Sequence, residues 1–339
     1  MVVPPTNALR LTNEVETKLK QFAKDKDAFS PNTWNQIVTT VKLWARWCIP
    51  RGYVWLPANP EQVREWLEWL DKEGKAASTI KNRLSMLNIL HENAGLERPG
   101  QDPTVRRAMR IITRQSVYEG EEQGQAVPFQ RASLDELITR WQDSDRLQEL
   151  RDLAFISVAY NTMLRLSEVS RIRVGHVKFM PDGSATIHVG YTKTSLTSNG
   201  ITKHLAPRTA GHLRAWLAAA GLEHSPEKMV FCRVHRVNRA IPSAKPLTRP
   251  NTLAIFERAW FTLNEHTEKA NKGRYETWSG HSARVGACID LLEAGVSLEK
   301  IMLEGNWSSP GMVLHYLRHA LAGNSRLSAL ITRHDLGQF

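Results

Sequence analysis

Apolar residues recur along the first third of the chain at helical spacing, and polar caps divide that run into separate elements. Ser30-Pro31-Asn32-Thr33 reads as a helix start, and Trp34, Ile37, Val38, Val41, Trp44 and Trp47 follow at intervals of three and four. Their spacing assigns the three Trp to a core, while Asn35, Gln36 and Thr39 fall off the stripe. Asn59-Pro60-Glu61-Gln62 combines an N-cap, a Pro at the first helical position and a capping-box Gln, ahead of the stripe Val63, Trp66, Leu67 and Leu70. A third helix is predicted from about Ser78 to Ala94, with Ile80, Leu84, Leu87 and Leu90 inward and Lys81, Asn82 and Ser85 outward. From Val105 to Arg114, projection at helical pitch gathers Arg106, Arg107, Arg110 and Arg114 on one face and Val105, Ala108, Met109 and Ile112 on the other. Residues 1–29 are polar and mixed in charge and read as a tail leading into a short helix.

Periodicity lapses over 119–126, a polar, Gly-containing stretch with the character of an interdomain linker between a helical domain (30–118) and a second domain (127–339). In the second domain Ser133-x-x-Glu136 reads as a capping box. Arg151 to Ser170 is a mostly apolar helical region interrupted by Arg165 and Glu168, three residues apart. That pair fits either a structural ion pair or an arginine presented to a ligand with its acid holding it. Ala185 to Tyr191 alternates like a strand and Ile201 to Leu205 is its return partner, with the polar tip 192–200 carrying Lys193 between them. Phe231 to Arg239 reads as a basic strand and loop. Helices are predicted at 282–294, closed by Gly295, at 297–304, closed by Gly305, and from Ser309-Pro310 onward. A short amphipathic helix at 325–335 ends the chain. The fold class is mainly α with a small antiparallel sheet in the C-terminal domain.

Composition adds a partner to this outline. The 339 residues carry 45 Lys and Arg against 34 Asp and Glu, a net charge of +11, and both halves are basic. A polyanion is the natural ligand of such a chain, because neutralising phosphates releases counterions. An acidic partner on the arginine arc of 105–114 is missing, which favours phosphate contact there over a merely solvated face. No apolar run approaches the roughly 20 residues of a membrane span, and the N-terminus lacks a signal-peptide pattern. Cys48, Cys232 and Cys288 fit no disulfide or zinc spacing, so they read as packing residues in a reducing cytoplasm.

The chemistry concentrates in Gly280-His281-Ser282-Ala283-Arg284, Trp307 and Tyr316: a His and an Arg one helical turn apart and a phenol downstream, as attack on a phosphodiester requires. Together with Ala159-Tyr160-Asn161-Thr162-Met163-Leu164-Arg165, Arg171-Ile172-Arg173-Val174, Thr192-Lys193-Thr194 and Trp278 to Gly286, taken in that order, the chain resembles the tyrosine site-specific recombinases from about residue 25 to its last helix. The resemblance implies roles residue by residue. Arg165 and Arg284 correspond to the two catalytic arginines, His281 to the motif histidine and Lys193 to the hairpin lysine. Trp307 occupies a position held by Trp or His, Glu168 is the supporting acid, and Tyr316 is the nucleophile.

It further implies a two-domain C-shaped clamp on double-stranded DNA with palindromic half-sites. A homotetramer would join two sites by cyclic exchange of the C-terminal helix, in the cytoplasm and nucleoid of a bacterium carrying a phage- or plasmid-borne element. DNA-reading candidates are Asn35, Gln36, Thr39, Lys81, Asn82, Arg106, Arg107, Arg110, Arg114, Arg233, His235, Arg236 and Arg274. Departures from the family pattern fall at such positions, namely Asn35-Gln36, Arg233 to Arg236 and Thr248-Arg249-Pro250, so the chemistry is expected to carry over and the target sequence is not.

Two arginines suffice to neutralise the transition-state phosphate, and no acidic cluster suited to Mg²⁺ is visible, so neither metal, ATP nor other cofactor is expected. The cationic site is expected to favour the Tyr316 phenolate, and Lys193 to protonate the leaving 5′-oxygen. A type IB topoisomerase-like relaxer shares this chemistry, but the tail helix argues for synapsis. A non-catalytic helix-turn-helix reader fits residues 282–304 but has no use for Arg165, Lys193, His281, Arg284 and Tyr316 together.

Overall fold

The computed structural model describes residues 12–120, 124–190, 200–264 and 277–323. The chain divides into two compact units between Gln123 and Gly124, inside the polar stretch 119–126.

The first unit contains five helices among the described residues: α1 (Asn13–Lys24), α2 (Pro31–Cys48), α3 (Pro60–Lys72), α4 (Ala77–Ala94) and α5 (Pro103–Tyr118). The short helix expected at the end of the tail is α1: Thr12 caps it, and it packs on α4 with Phe22 buried and Val15 and Leu19 partly buried against the core. Phe22 meets the rings of Phe29 and Trp34 at 5.6 and 5.1 Å, so Trp34 belongs to an aromatic cluster at the rim of the core. Trp44 and Trp66 are fully buried, and the Trp44 indole donates to the Trp55 carbonyl at 2.7 Å. Asn59 caps α3 by accepting from the Glu61 amide at 2.8 Å. The expected capping-box role of Gln62 is not realised: its side-chain oxygen is buried and accepts no hydrogen bond.

The second unit opens with α6 (Arg131–Trp141), α7 (Leu147–Thr162) and α8 (Leu166–Val169). A three-stranded antiparallel sheet of β1 (Val177–Phe179), β2 (Ala185–Val189) and β3 (Ile201–Leu205) follows. Next come α9 (Pro207–Ala219), the separate hairpin β4 (Arg233–His235) and β5 (Arg239–Ile241), α10 (Arg249–Leu263), α11 (Ser282–Glu293), α12 (Leu298–Gly305) and α13 (Pro310–Gly323). There are thus two small sheets among the described residues, where one was expected. The mainly helical fold with antiparallel strands in the second unit is as the sequence implies.

Three local readings change, the first because a tertiary contact replaces a local cap. Ser133 lies inside α6 and caps nothing at its start. The helix begins at Arg131, where Asp290 of α11 accepts from the Arg131 amide at 2.8 Å and from Gln130 Nε2 at 2.9 Å. The helical region 151–170 is broken at Met163, whose φ of 53° lies in the left-handed region, and α8 restarts from Arg165. Finally, α12 is closed by Asn306 at φ 57°, and Gly305 is its last helical residue.

The core of the second unit centres on Phe129, Phe155, Trp216, Phe231 and Phe256, all fully buried. Gly286 allows α11 to lie against the segment leading into α6, since a Cβ there would stand 1.8 Å from the Phe129 carbonyl oxygen. Cys48, Cys232 and Cys288 are free and buried. Behind the core, Asp152 is 1% exposed and is gripped at 2.6 Å by both Arg151 and Arg258. Asp152→Ala would leave the buried Arg151 guanidinium without its anion. Denaturant unfolding of this unit is expected to show a loss of about 3–5 kcal/mol.

Candidate active site

The break at Met163 places Arg165 at the N-cap position of α8, where its backbone conformation is extended. Glu168, one turn in, accepts from the Arg165 amide at 2.9 Å through one oxygen and from its guanidinium at 3.1 Å through the other. The acid is 3% exposed at its side chain and the arginine 24%, so the carboxylate stays inside while the cation faces outward. The structural reading of the pair is realised: the acid caps the helix through the Arg165 amide and pairs with its guanidinium.

Arg284 comes from the first turn of α11 and is buried. Its Nη1 donates to the Met163 carbonyl at 2.7 Å and its Nη2 to the Gly305 carbonyl, which ties the α7–α8 break to the end of α12. The guanidinium carbon stands 4.3 Å from the Trp307 ring centroid. Burial, and then the charge of Arg165, lower its pKa to about 10, so it stays cationic at neutral pH. Trp307 in turn meets the Tyr316 ring edge-on at 5.8 Å.

Tyr316 lies on α13 at 8% exposure, within a cluster of Val285, Ile301, Val313 and Leu317. Gln125 Nε2 donates to the Tyr316 carbonyl at 2.9 Å, fixing the backbone from which the phenol projects. The expectation of a favoured phenolate does not hold in the protein alone. Burial raises the phenol pKa above its ordinary value and outweighs the opposite pull of Arg284 and Arg165.

His281 is exposed at the N-cap of α11, one turn from Arg284, where its carbonyl accepts from the Val285 amide at 2.9 Å. The structure therefore gathers Arg165, Glu168, Arg284, Trp307 and Tyr316, with His281 at the start of the helix that supplies Arg284. Lys193 and Arg274 lie outside the described residues, as does the segment 325–335.

Among the DNA-reading candidates, Asn82 Nδ2 donates to Gln36 Oε1 at 3.0 Å, so α2 and α4 present these amides as one surface, with Asn35, Thr39 and Lys81 exposed on the same two helices. Arg106, Arg107, Arg110 and Arg114 are all exposed along α5, opposite buried Val105, Ala108 and Ile112. Arg233 and His235 alternate outward on β4 and Arg236 follows in the turn, also exposed. Among the described residues no cluster of His, Cys, Asp and Glu suited to a metal occurs, and no helix is long and apolar enough to cross a membrane.

Residues 130–322 match the phage integrase family, and residues 19–97 match the N-terminal SAM-like domain of phage integrases. The chain belongs to the phage integrase family. The recombinase Cre of Escherichia phage P1 is 37% identical over 308 residues, which cover 91% of this chain and 90% of Cre. This phage integrase family member is therefore a tyrosine site-specific recombinase close to Cre. Its fold matches the Tn1549 transposon integrase in complex with transposon right-end DNA, with a TM-score of 0.61, 14% identity and coverage of 96% and 99% of the two chains. It also matches a lambda integrase tetramer bound to a Holliday junction, with a TM-score of 0.56, 15% identity and coverage of 91% of this chain and 78% of the other.

Sequence reasoning missed two site-supporting residues. Lys203 stands on the same face of β3 as Ile201 and Leu205 and reaches the Glu304 carbonyl. A lysine in phase with two apolar strand residues was the available signal. Asp290 accepts from the Tyr160 hydroxyl at 2.5 Å as well as from Gln130 and Arg131, and nothing local in the sequence marks it.

Proposed function

We propose that this recombinase cleaves and rejoins DNA at paired inverted-repeat sites through a 3′-phosphotyrosine intermediate and a Holliday junction, without metal or ATP. The observation that carries the reading is the stack of Arg284 on Trp307 and Trp307 against Tyr316, with the charge of Arg165 felt at both Arg284 and Tyr316. A single phosphodiester placed there meets two guanidinium groups and one nucleophile.

In the proposed step the Tyr316 oxygen attacks phosphorus, its proton passes to water, and the bond from phosphorus to the 5′-oxygen breaks. Arg165 and Arg284 neutralise the nonbridging oxygens, and planar forks do this bidentately. His281 and the Trp307 indole N–H add hydrogen bonds to the same oxygens. Lys193 protonates the departing 5′-oxygen, which is otherwise a poor leaving group. The new phosphodiester to tyrosine retains the energy of the broken one, so a 5′-hydroxyl of a partner strand reverses the step and rejoins DNA.

The exposed arginines of α5 and the Gln36–Asn82 surface suit the grip of the first unit on duplex DNA. Leu303, Met312, Leu314 and Leu321, all exposed on α12 and α13, suit docking of a neighbouring protomer's C-terminal helix in a tetramer. This favours recombination over supercoil relaxation, which needs no assembly. Lambda integrase, of similar fold, was solved as a tetramer on such a junction.

A duplex carrying a nick beside the cleavage position traps the intermediate by losing the attacking 5′-hydroxyl. Incubated with intact protein and excess EDTA, it is expected to yield a denaturation-resistant protein–DNA adduct on the 3′-phosphate side. Loss of the adduct on chelation, or attachment through a 5′-phosphate, overturns the reading.

A further inference from the structure

The last carbonyls of a helix have no partners within it. In α12 the Met302 and Leu303 carbonyls accept from the backbone amides of Trp307 and Asn306, at 2.9 and 3.2 Å. The next two are closed by cations from elsewhere in the fold. Glu304 receives the ammonium of Lys203 from β3, and Gly305 receives the Arg284 guanidinium from α11. Positive charge at a helix C-terminus is also favoured by the helix dipole.

This helix end is the seat of Trp307. A Cβ on Gly305 would stand 1.9 Å from Cζ3 of Trp307, so the indole lies directly against the last helical residue. The position of α12's final turn therefore fixes the indole, and the indole carries Arg284 at 4.3 Å on one side and Tyr316 at 5.8 Å on the other. Lys203 belongs to the strand that pairs with β2 from Val189↔Ile201 to Ala185↔Leu205, and the connection between those strands holds Lys193. Burial and Arg284 lower the Lys203 pKa, while Glu304 and Glu168 oppose them, which places its charge within reach of the same site.

We propose that Lys203 is a positioning residue for strand cleavage: by holding the Glu304 carbonyl it fixes the end of α12, and through it Trp307 and Arg284, relative to the strand pair that carries Lys193. The bland alternative is a surface lysine whose tether serves stability alone. The inference rests on the proposed cleavage reading and refines it.

The test measures single-turnover adduct formation on the nicked duplex at saturating protein for Lys203→Met, Lys203→Arg, Trp307→Phe and the Lys203→Met/Trp307→Phe double variant, with gel-shift affinity and thermal melting alongside. Lys203→Met is expected to slow adduct formation by about 10- to 100-fold, the scale of a small misplacement of reacting groups. DNA affinity is expected to change by less than about threefold, since a positioning loss acts after binding. Lys203→Arg keeps a charged donor and is expected to restore most of the rate. In the Trp307→Phe background the methionine substitution is expected to add little, because both act through one element. A wild-type rate for Lys203→Met, a Lys203→Arg variant as slow as the methionine one, or full additivity with Trp307→Phe overturns the proposal. Rescue of Lys203→Met by a substrate with a 5′-thiolate leaving group also overturns it, by making Lys203 a proton donor. Failure of the wild-type protein to form any adduct sinks the cleavage reading itself, which separates the two.

Discussion

Tyr316→Phe is expected to abolish covalent attachment to DNA while leaving folding and duplex binding intact. The ring is what the fold uses: it is buried beside Val313 and Leu317 and meets Trp307 edge-on, and phenylalanine retains all of this. Only the hydroxyl is lost, and with it the proposed nucleophile. Thermal melting and gel-shift affinity close to wild type, with no adduct on the nicked duplex, are the expected results. An adduct formed by the variant would remove Tyr316 from the nucleophile role. Burial holds the phenol above its ordinary pKa against the pull of Arg284 and Arg165, so the protein alone does not favour the phenolate.

The second large effect is expected at Arg284. Arg284→Lys should slow single-turnover adduct formation by about 100- to 1000-fold, the usual scale for loss of one preorganised donor to a developing oxyanion. Lysine keeps the charge but cannot fork to the Met163 and Gly305 carbonyls while stacking on Trp307. Each carbonyl left unpaired in the interior costs about 1–3 kcal/mol, so a lowered melting temperature should accompany the kinetic loss. A lysine variant with wild-type cleavage would exclude Arg284 from phosphate neutralisation.

Much of the helical framework was readable because burial leaves a periodic trace. Trp44, Val63, Trp66, Ile80, Leu87 and Val105 are all buried where their spacing puts them. Helix starts were readable where the cap is local, as at Ser30 and Asn59. The start of α6 depends on Asp290, and the end of α12 on Lys203 and Arg284, all distant in sequence. A left-handed Met163 carries no sequence signal either, yet it turns one apolar helix into the corner that presents Arg165.

The candidate site was legible as residue types in order. Its electrostatics were not, because desolvation of Tyr316 depends on neighbours that only folding supplies. The lack of periodicity over 119–126, by contrast, is a local property, and the division between the two compact units falls inside that stretch.

The hydrogen bond from Arg284 to the Met163 carbonyl works as a ruler. Arg165 follows Met163 by two residues and its guanidinium is held by Glu168 at 3.1 Å, so each of the two guanidinium groups is tied to a fixed partner beside the same backbone corner. The residues proposed to choose the DNA sequence, such as Gln36, Asn82 and Arg233, lie on other elements. Retargeting the enzyme by exchanging those surfaces should thus leave its phosphate gauge in calibration, which makes this chain a suitable chassis for recombinases of new address.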